Sequence, residues 1–408
     1  MMRELEFGEE YEKWVSEHVG EDPARLRLSY HDDPRPWIPY AITQVSALCK
    51  AEKKFCTAFG ESLMPTIIAS EIALQQSTSA DIALLHASIL ANHISIGDNV
   101  LDMTCGLGTD ARALSRYFNV VACENNPLHA AMARENFRDN ANIKILETDS
   151  VDYLQSVKSG QFKAIFIDPA RRDNLGKRVY GIRECSPDII EIYPLFKKTG
   201  AVIICKLSPM IDVTQTLADI QNVSEIHIIG DGRECKELVV LINPDKPVQR
   251  ICDVPISLWS TPHLCNLQYT IADEVAAISK PYASPLPGDT LWIPSPVAMK
   301  GGCFNILSSK YDISPVAPNT HVYISKHELL HEFPGTGEKI VDVIPWKSSE
   351  LKKLKRMKIN ACARVRNFGM TAQQLSDKIG LYQTVDYLMI TGITLADKSR
   401  VLVVSKPQ

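Results

Sequence analysis

Leu101-Asp102-Met103-Thr104-Cys105-Gly106-Leu107-Gly108-Thr109-Asp110-Ala111 pairs two glycines with two acids in eleven residues. A short β-rich run, Val100-Leu101, leads into it, and a helix-like segment follows. Gly106-x-Gly108-x-x-Ala111 is the pattern of a strand-to-helix turn that must pass close to a ligand, where glycine supplies backbone conformations other residues resist. Working outward, strand-like runs at 120–123, 143–146, 164–167 and 201–204 alternate with amphipathic segments of helical length. That alternation predicts an α/β fold with a parallel sheet covered by helices. Two later runs, 226–229 and 238–242, are joined by only eight residues including Asp231-Gly232. A crossover helix does not fit between them, so they are expected to pair antiparallel.

The acids around the turn bear on the ligand. Glu124 ends the second run eighteen residues after Gly106, where a ribose-binding acid belongs. A pyrophosphate wants bare backbone N–H groups at a helix N-terminus. Here Asp102 ends the first strand and Asp110 enters the helix, and two carboxylates repel a phosphate. They suit a cation instead. S-adenosylmethionine carries a sulfonium, an ammonium and a ribose, and Asp149 at the end of the third run would stand near its adenine. The expected cofactor set is Asp102, Thr104, Gly106, Gly108, Asp110, Glu124, Asn125, Asp149, Ser150 and Asp168.

Composition restricts the class of protein. With 45% apolar and 23% charged residues, the 408-residue chain can bury cores for more than one domain and is not a disordered chain. No apolar run approaches a membrane span. The acidic residues Glu4, Glu6, Glu9, Glu10 and Glu12 are the opposite of a targeting peptide, so a cytoplasmic protein is expected. Eleven dispersed cysteines without a C-x-x-C pair argue for free thiols and no structural zinc. The net charge of −4 conceals an asymmetry. Lys347, Lys352, Lys353, Lys355, Arg356, Lys358, Arg364 and Arg366 face only Glu350 within residues 347–366. Arg364 and Arg366 would share one face of a strand. Such a basic face suits RNA phosphates.

Four regions follow: a helical part over 1–93, a core over 94–245, a Pro-rich region with short strands over 246–345, and a basic α/β segment over 346–408. In the first, Thr78 and Asp81 have the spacing of a capping box. Thr371 and Gln374 open a helix in the last.

Residues 98–170 resemble a class I S-adenosylmethionine-dependent methyltransferase. The wider chain resembles the bacterial methyltransferases that carry a C-terminal THUMP-like domain. The carrying motifs are Gln76-Ser77-Thr78, Asp168-Pro169-Ala170-Arg171-Arg172, Lys206-Leu207-Ser208-Pro209 and the turn Phe333-Pro334-Gly335. The resemblance implies a Rossmann-like methyltransferase sheet over 94–245, a ferredoxin-like domain over 246–345 and a THUMP-like domain over 346–408. It also implies methylation of a base in structured RNA. Asp168, Pro169 and Arg171 would then be catalytic, while Arg172, Lys206, Lys358, Arg364 and Arg366 would meet the substrate.

Amino-methylating enzymes keep an Asp/Asn-Pro-Pro-aromatic motif, in which the acid and a proline carbonyl accept hydrogen bonds from the target amine. Ala170 and Arg171 depart from it, although a guanidinium plane can stack on a base or hold a phosphate. One alternative is a pyrimidine C5 methylase with Cys205 as nucleophile. Another is a non-catalytic RNA-binding protein on a methyltransferase scaffold. His327-Glu328-Leu329-Leu330-His331 matches the zinc-peptidase pattern, but Phe333-Pro334-Gly335 breaks the long helix which that chemistry needs. His86 and His93 read as packing residues.

Overall fold

A computed structural model describes residues 9–57, 62–63, 71–170, 181–260, 267–326, 332–383 and 387–407. Two compact units divide the chain, one formed by residues 1–225 and 238–249, the other by 226–237 and 250–408.

The first unit opens with α1 (Glu9–His18), α2 (Pro23–Ser29), α3 (Ile38–Phe55), α4 (Glu71–Gln76) and α5 (Ala80–Ala91). Tyr11, Trp14, Leu26, Ile38 and Ile42 bring α1–α3 together on an apolar cluster. Helix α5 buries Ile82, Leu85, His86, Ile89 and Leu90 on several faces, the mark of a helix enclosed by its unit. Its N-cap is Ser79. The capping box expected at Thr78 is therefore corrected: that hydroxyl donates to Asp110 instead.

The parallel strands β1 (Asn99–Asp102), β2 (Asn119–Glu124), β3 (Ile143–Glu147), β4 (Ala164–Ile167) and β5 (Val202–Leu207) follow. Between them run α6 (Thr109–Leu114), α7 (Pro127–Asn136), α8 (Ser150–Ser156) and α9 (Tyr193–Thr199), with α10 (Val213–Asp219) after β5. β6 (Val223–Gly230) and β7 (Cys235–Ile242) come next, and the strand order is β3-β2-β1-β4-β5-β7-β6. β7 runs antiparallel to β5, with Ile203 opposite Ile242. Every residue of β4 is buried, as expected of a central parallel strand covered on both faces. Short polar caps stop and start the helices, including Asn126 before α7 and Asp149 before α8. Residues 223–225 and 238–242 of the last two strands belong to the first unit.

In the second unit, β6 from Ile226 onward pairs with β8 (Ile256–Ser260), and β8 with β9 (Leu267–Tyr269). A further sheet is built from β10 (Thr290–Pro294), β11 (Ser314–Pro315), β12 (Tyr323–Ser325), β13 (Gly335–Pro345), β14 (Ala361–Arg366), β15 (Leu388–Thr394) and β16 (Arg400–Pro407). Its order is β11-β12-β10-β13-β16-β15-β14. The helices are α11 (Ile271–Ala276), α12 (Pro296–Gly301), α13 (Phe304–Lys310), α14 (Ser348–Met357) and α15 (Ala372–Ile379). Thr371 and Gln374 do cap α15 reciprocally.

The boundary expected at residues 345 and 346 does not separate two sheets. β13 pairs with β16 from Glu338↔Pro407 to Pro345↔Val401, so residues on either side of it share one hydrogen-bonded ladder. Long-range antiparallel pairing of this kind leaves no local mark in composition.

Candidate active site

The site is assembled at the C-terminal ends of β1, β2, β4 and β5, where parallel α/β sheets bind ligands. After β1 the chain makes its glycine turn. Cys105 N–H donates to Cys123 O, Gly108 N–H to Cys105 O, and Gly106 N–H to the Glu124 carboxylate at 3.0 Å. Both glycines are left-handed, with φ of 54° at Gly106 and 78° at Gly108. They differ in what surrounds them. A Cβ on Gly108 would lie 2.4 Å from the Phe137 ring, whereas one on Gly106 would meet open space. Gly108 is thus demanded by packing, and Gly106 leaves room beside the turn.

Asp102 is fully buried. Its Oδ1 accepts from Thr104 N–H at 2.9 Å, while Oδ2 is buried without a hydrogen-bond partner among the described residues. Burial pushes its pKa up to about 8, with Asp110, Asp168 and Glu124 adding smaller like-charge contributions. Glu124 accepts from Gly106 N–H through one oxygen and from Asn126 N–H through the other. Asn125 is exposed next to it. Asp149 is exposed and spends Oδ1 on the N–H groups of Val151 and Asp152, so it caps α8, whose first residue is Ser150.

A second set of polar side chains lies behind the turn. The Lys206 ammonium donates to Asp168 Oδ2 at 2.7 Å and to Thr78 Oγ1 at 3.1 Å. The Thr78 hydroxyl donates to Asp110 Oδ2 at 2.6 Å, and His86 Nδ1 lies 2.8 Å from Asp110 Oδ1. Burial alone would raise the Asp110 carboxyl, but His86, Lys206 and Thr78 outweigh it and hold it below the usual range. Asp168 N–H donates to Thr104 Oγ1 at 2.8 Å, tying the loop after β4 to the loop after β1.

The expected residues therefore separate into roles. Asp102, Thr104, Gly106, Gly108, Glu124 and Asp168 are joined by hydrogen bonds or line one turn. Asp110 points into the network beneath the turn, away from the direct ligand role expected of it, because His86 and Thr78 occupy both its oxygens. Lys206, expected to meet substrate, has its ammonium on Asp168 and Thr78. Pro169 follows Asp168 directly, while Arg171 and Arg172 lie outside the described residues, as does 327–331. Thr78 and His86 escaped sequence reasoning as partners of Asp110. The one available signal was a histidine within an otherwise apolar helix.

Cys205 is fully buried, and burial raises its thiol well above the ordinary range. Such a thiol offers almost no thiolate for ring addition. In the second unit, Lys358 is exposed in a left-handed conformation at the end of α14. Arg364 does not present a guanidinium for phosphate. It forms a two-pronged pair with Glu338 at 2.9 and 2.7 Å and donates to Thr391. Arg366, by contrast, has no carboxylate partner among the described residues. Among those residues, no group of His, Cys, Asp and Glu is placed to hold a metal ion. No helix described is long and apolar enough to cross a membrane.

Comparison with known proteins agrees with this arrangement. A structure from Porphyromonas gingivalis W83, described as a "putative methyltransferase", superposes with a TM-score of 0.83 at 27% identity, covering 98% of this chain and 97% of that one. Residues 291–334 match a family model described as a ferredoxin-like domain. Partial matches include a protein from Agrobacterium tumefaciens described as a "predicted O-methyltransferase" (19% identity, 44% of this chain and 85% of that chain, TM-score 0.31). A tRNA (uracil-54, C5)-methyltransferase from Pyrococcus abyssi matches similarly (20%, 40% and 38%, 0.29), and at such scores neither informs function. No curated protein matches. Near-full-length likeness gives this chain the fold of a protein described as a "putative methyltransferase". Its nearly complete counterpart among these structures is the Porphyromonas protein.

Proposed function

We propose that the chain is a class I methyltransferase that uses S-adenosylmethionine and methylates a base of structured RNA at an amino or ring nitrogen. The observation that carries the cofactor reading is Asp102, a buried carboxyl with one acceptor oxygen unpartnered beside a glycine turn that has open space at Gly106. An ammonium would supply the missing donor and favour the ionised acid, and Glu124 is the acceptor suited to ribose hydroxyls. A phosphate-bearing dinucleotide could use Glu124 through its ribose but would offer no cation to Asp102. When bound, the cofactor supplies a methyl group activated by a sulfonium.

The remaining work belongs to the chain. In this reading Asp168 accepts a hydrogen bond from the acceptor nitrogen's N–H and turns its lone pair toward the methyl, with the Pro169 carbonyl as a second acceptor. Lys206 and Thr104 fix Asp168 from two sides, so the acid enters the reaction already oriented. Arg171 and Arg172 would hold the flanking nucleotide, a role taken from the resemblance. Cys205 is left as a core thiol, which favours nitrogen over pyrimidine C5 as the acceptor atom.

The RNA reading is supported by α14, where Lys352, Lys355 and Arg356 are exposed and Leu354 faces the core. Only Lys353 of this helix pairs with Glu350. A THUMP-like role for residues 346–408 is consistent with that charge. The test joins binding and turnover. Glu124→Ala should weaken S-adenosylhomocysteine by roughly 1.5–3 kcal/mol, the cost of a charged hydrogen bond. Asp168→Ala should abolish methyl transfer to RNA from cells lacking the protein while keeping cofactor affinity. Unchanged affinity in Glu124→Ala, or full turnover in Asp168→Ala, would overturn the assignment.

A further inference from the structure

The second unit contains a cavity of about 630 Å³ to which α12, the loop at 316–322 and the end of β14 all contribute. Lys300 comes from α12, Asn319, Thr320 and His321 from the loop, and Arg366 and Asn367 from the strand end. No Asp or Glu is among its described lining residues. We propose that this cavity is a binding site for a phosphate-type oxyanion, with Arg366 as its principal ligand and Lys300, His321 and the Asn319 and Asn367 amides around it.

Three observations converge on an anion. First, Arg366 Nε is buried without a hydrogen-bond partner, and its terminal nitrogen NH1 donates only to the backbone carbonyl of Val365 among the described residues. A buried guanidinium donor is costly to leave unmade, and native chains rarely do so without a ligand or water to complete it. Second, the carboxylate that pairs with its strand neighbour is already taken: Glu338 is held by Arg364 and by the Ser405 hydroxyl. Third, cationic groups crowd one another here. Burial, then the charge of Arg364, lowers the Arg366 pKa, and burial, then Arg366, lowers that of His321. An oxyanion between them would relieve both.

Asn319, His321 and Asn367 hold left-handed backbones with φ of 55°, 51° and 50°. The His321 ring stacks on Phe304 with centroids 3.6 Å apart. Planar Arg with a neighbouring Lys is the donor set that recognises phosphate, one by its fork and the other as a point charge. The volume exceeds a single phosphate and would admit a nucleotide. Its source would be either an RNA backbone or a free phosphate ester. Arg366 thus retains a phosphate role while Arg364, its neighbour on the strand, becomes structural.

Calorimetric titration of the full chain with inorganic phosphate tests the site, using wild type, Arg366→Gln, Arg366→Lys and Lys300→Gln. Saturable binding should weaken at least about tenfold in Arg366→Gln, with a smaller loss in Arg366→Lys, which keeps charge without the fork. If Arg366→Gln does not fold, Lys300→Gln carries the comparison. Competition by single-stranded RNA lacking terminal phosphate identifies a backbone source, and competition only by nucleoside monophosphates identifies a free ester. Absence of phosphate binding, or equal binding in wild type and the folded variants, overturns the proposal. No cofactor enters the titration, so its failure leaves methyl transfer untouched, and failure of methyl transfer leaves this result standing.

Discussion

Replacing Asp102 with asparagine tests whether burial keeps this acid neutral. Its native pKa stands near 8, against about 3.9 for an unfolded aspartate. Between those values the folded chain holds a proton that the unfolded chain releases, so this group's stabilising contribution is complete below pH 4 and is lost as pH rises through 8. The loss is about 1.4 kcal/mol per pH unit, and relaxation of the site would keep the total at or below about 5 kcal/mol. Asp102→Asn removes the titration while preserving shape. Its amide leaves one buried donor unsatisfied, a roughly constant cost of about 1–3 kcal/mol. Denaturant unfolding of both proteins at pH 5, 6 and 7 should therefore show the stability difference moving steadily in the variant's favour. All other groups cancel in that difference. A gap independent of pH from 5 to 7 would show that Asp102 is ionised in the native protein and would refute the reading that burial keeps it neutral. The same variant should lose cofactor affinity, so stability and binding move in opposite directions.

Cys205→Ala should retain most turnover, and no covalent RNA adduct should form on the wild type; a trapped adduct at Cys205 detected by mass spectrometry would reinstate C5 chemistry. Gly108→Ala should destabilise the first unit by about 2–4 kcal/mol, since it adds both a left-handed penalty and a collision with Phe137. Melting of this variant at the wild-type temperature would contradict that packing. Glu338→Gln should cost about 3–5 kcal/mol in denaturant unfolding because it strands the Arg364 guanidinium in a half-buried pair. A neutral effect would mean that the pair is solvent-screened.

What the sequence revealed and what it concealed follow from the range of the interactions. The glycine turn, the strand-ending acids and the alternation of strands with helices are local patterns, and they suffice to predict the parallel core. Strand parity likewise places Arg364 and Arg366 on one face. Their divergence could not be seen, because the partner that claims Arg364 sits 26 residues earlier on β13, three strands away in sheet order. Asp110 is a parallel case. Its proximity to the glycines suggested a ligand, yet His86, 24 residues before it, and Thr78 satisfy it from below. The division at residue 345 was drawn from a change in composition, while the β13–β16 ladder runs across it.

The contact of His86 and Thr78 with Asp110 also bears on how this protein can change over evolutionary time. Loss of the histidine alone would take one hydrogen-bond partner from a buried carboxylate, and loss of the aspartate alone would take one from the buried imidazole. Either single step crosses a fitness valley, so positions 78, 86 and 110 are expected to be inherited, or exchanged, as one unit. By the same logic the helical segment is no detachable ornament. Cutting the chain at residue 93 to isolate the sheet would remove two of the three members, and the excised core would keep only the charge of Lys206 beside its acid.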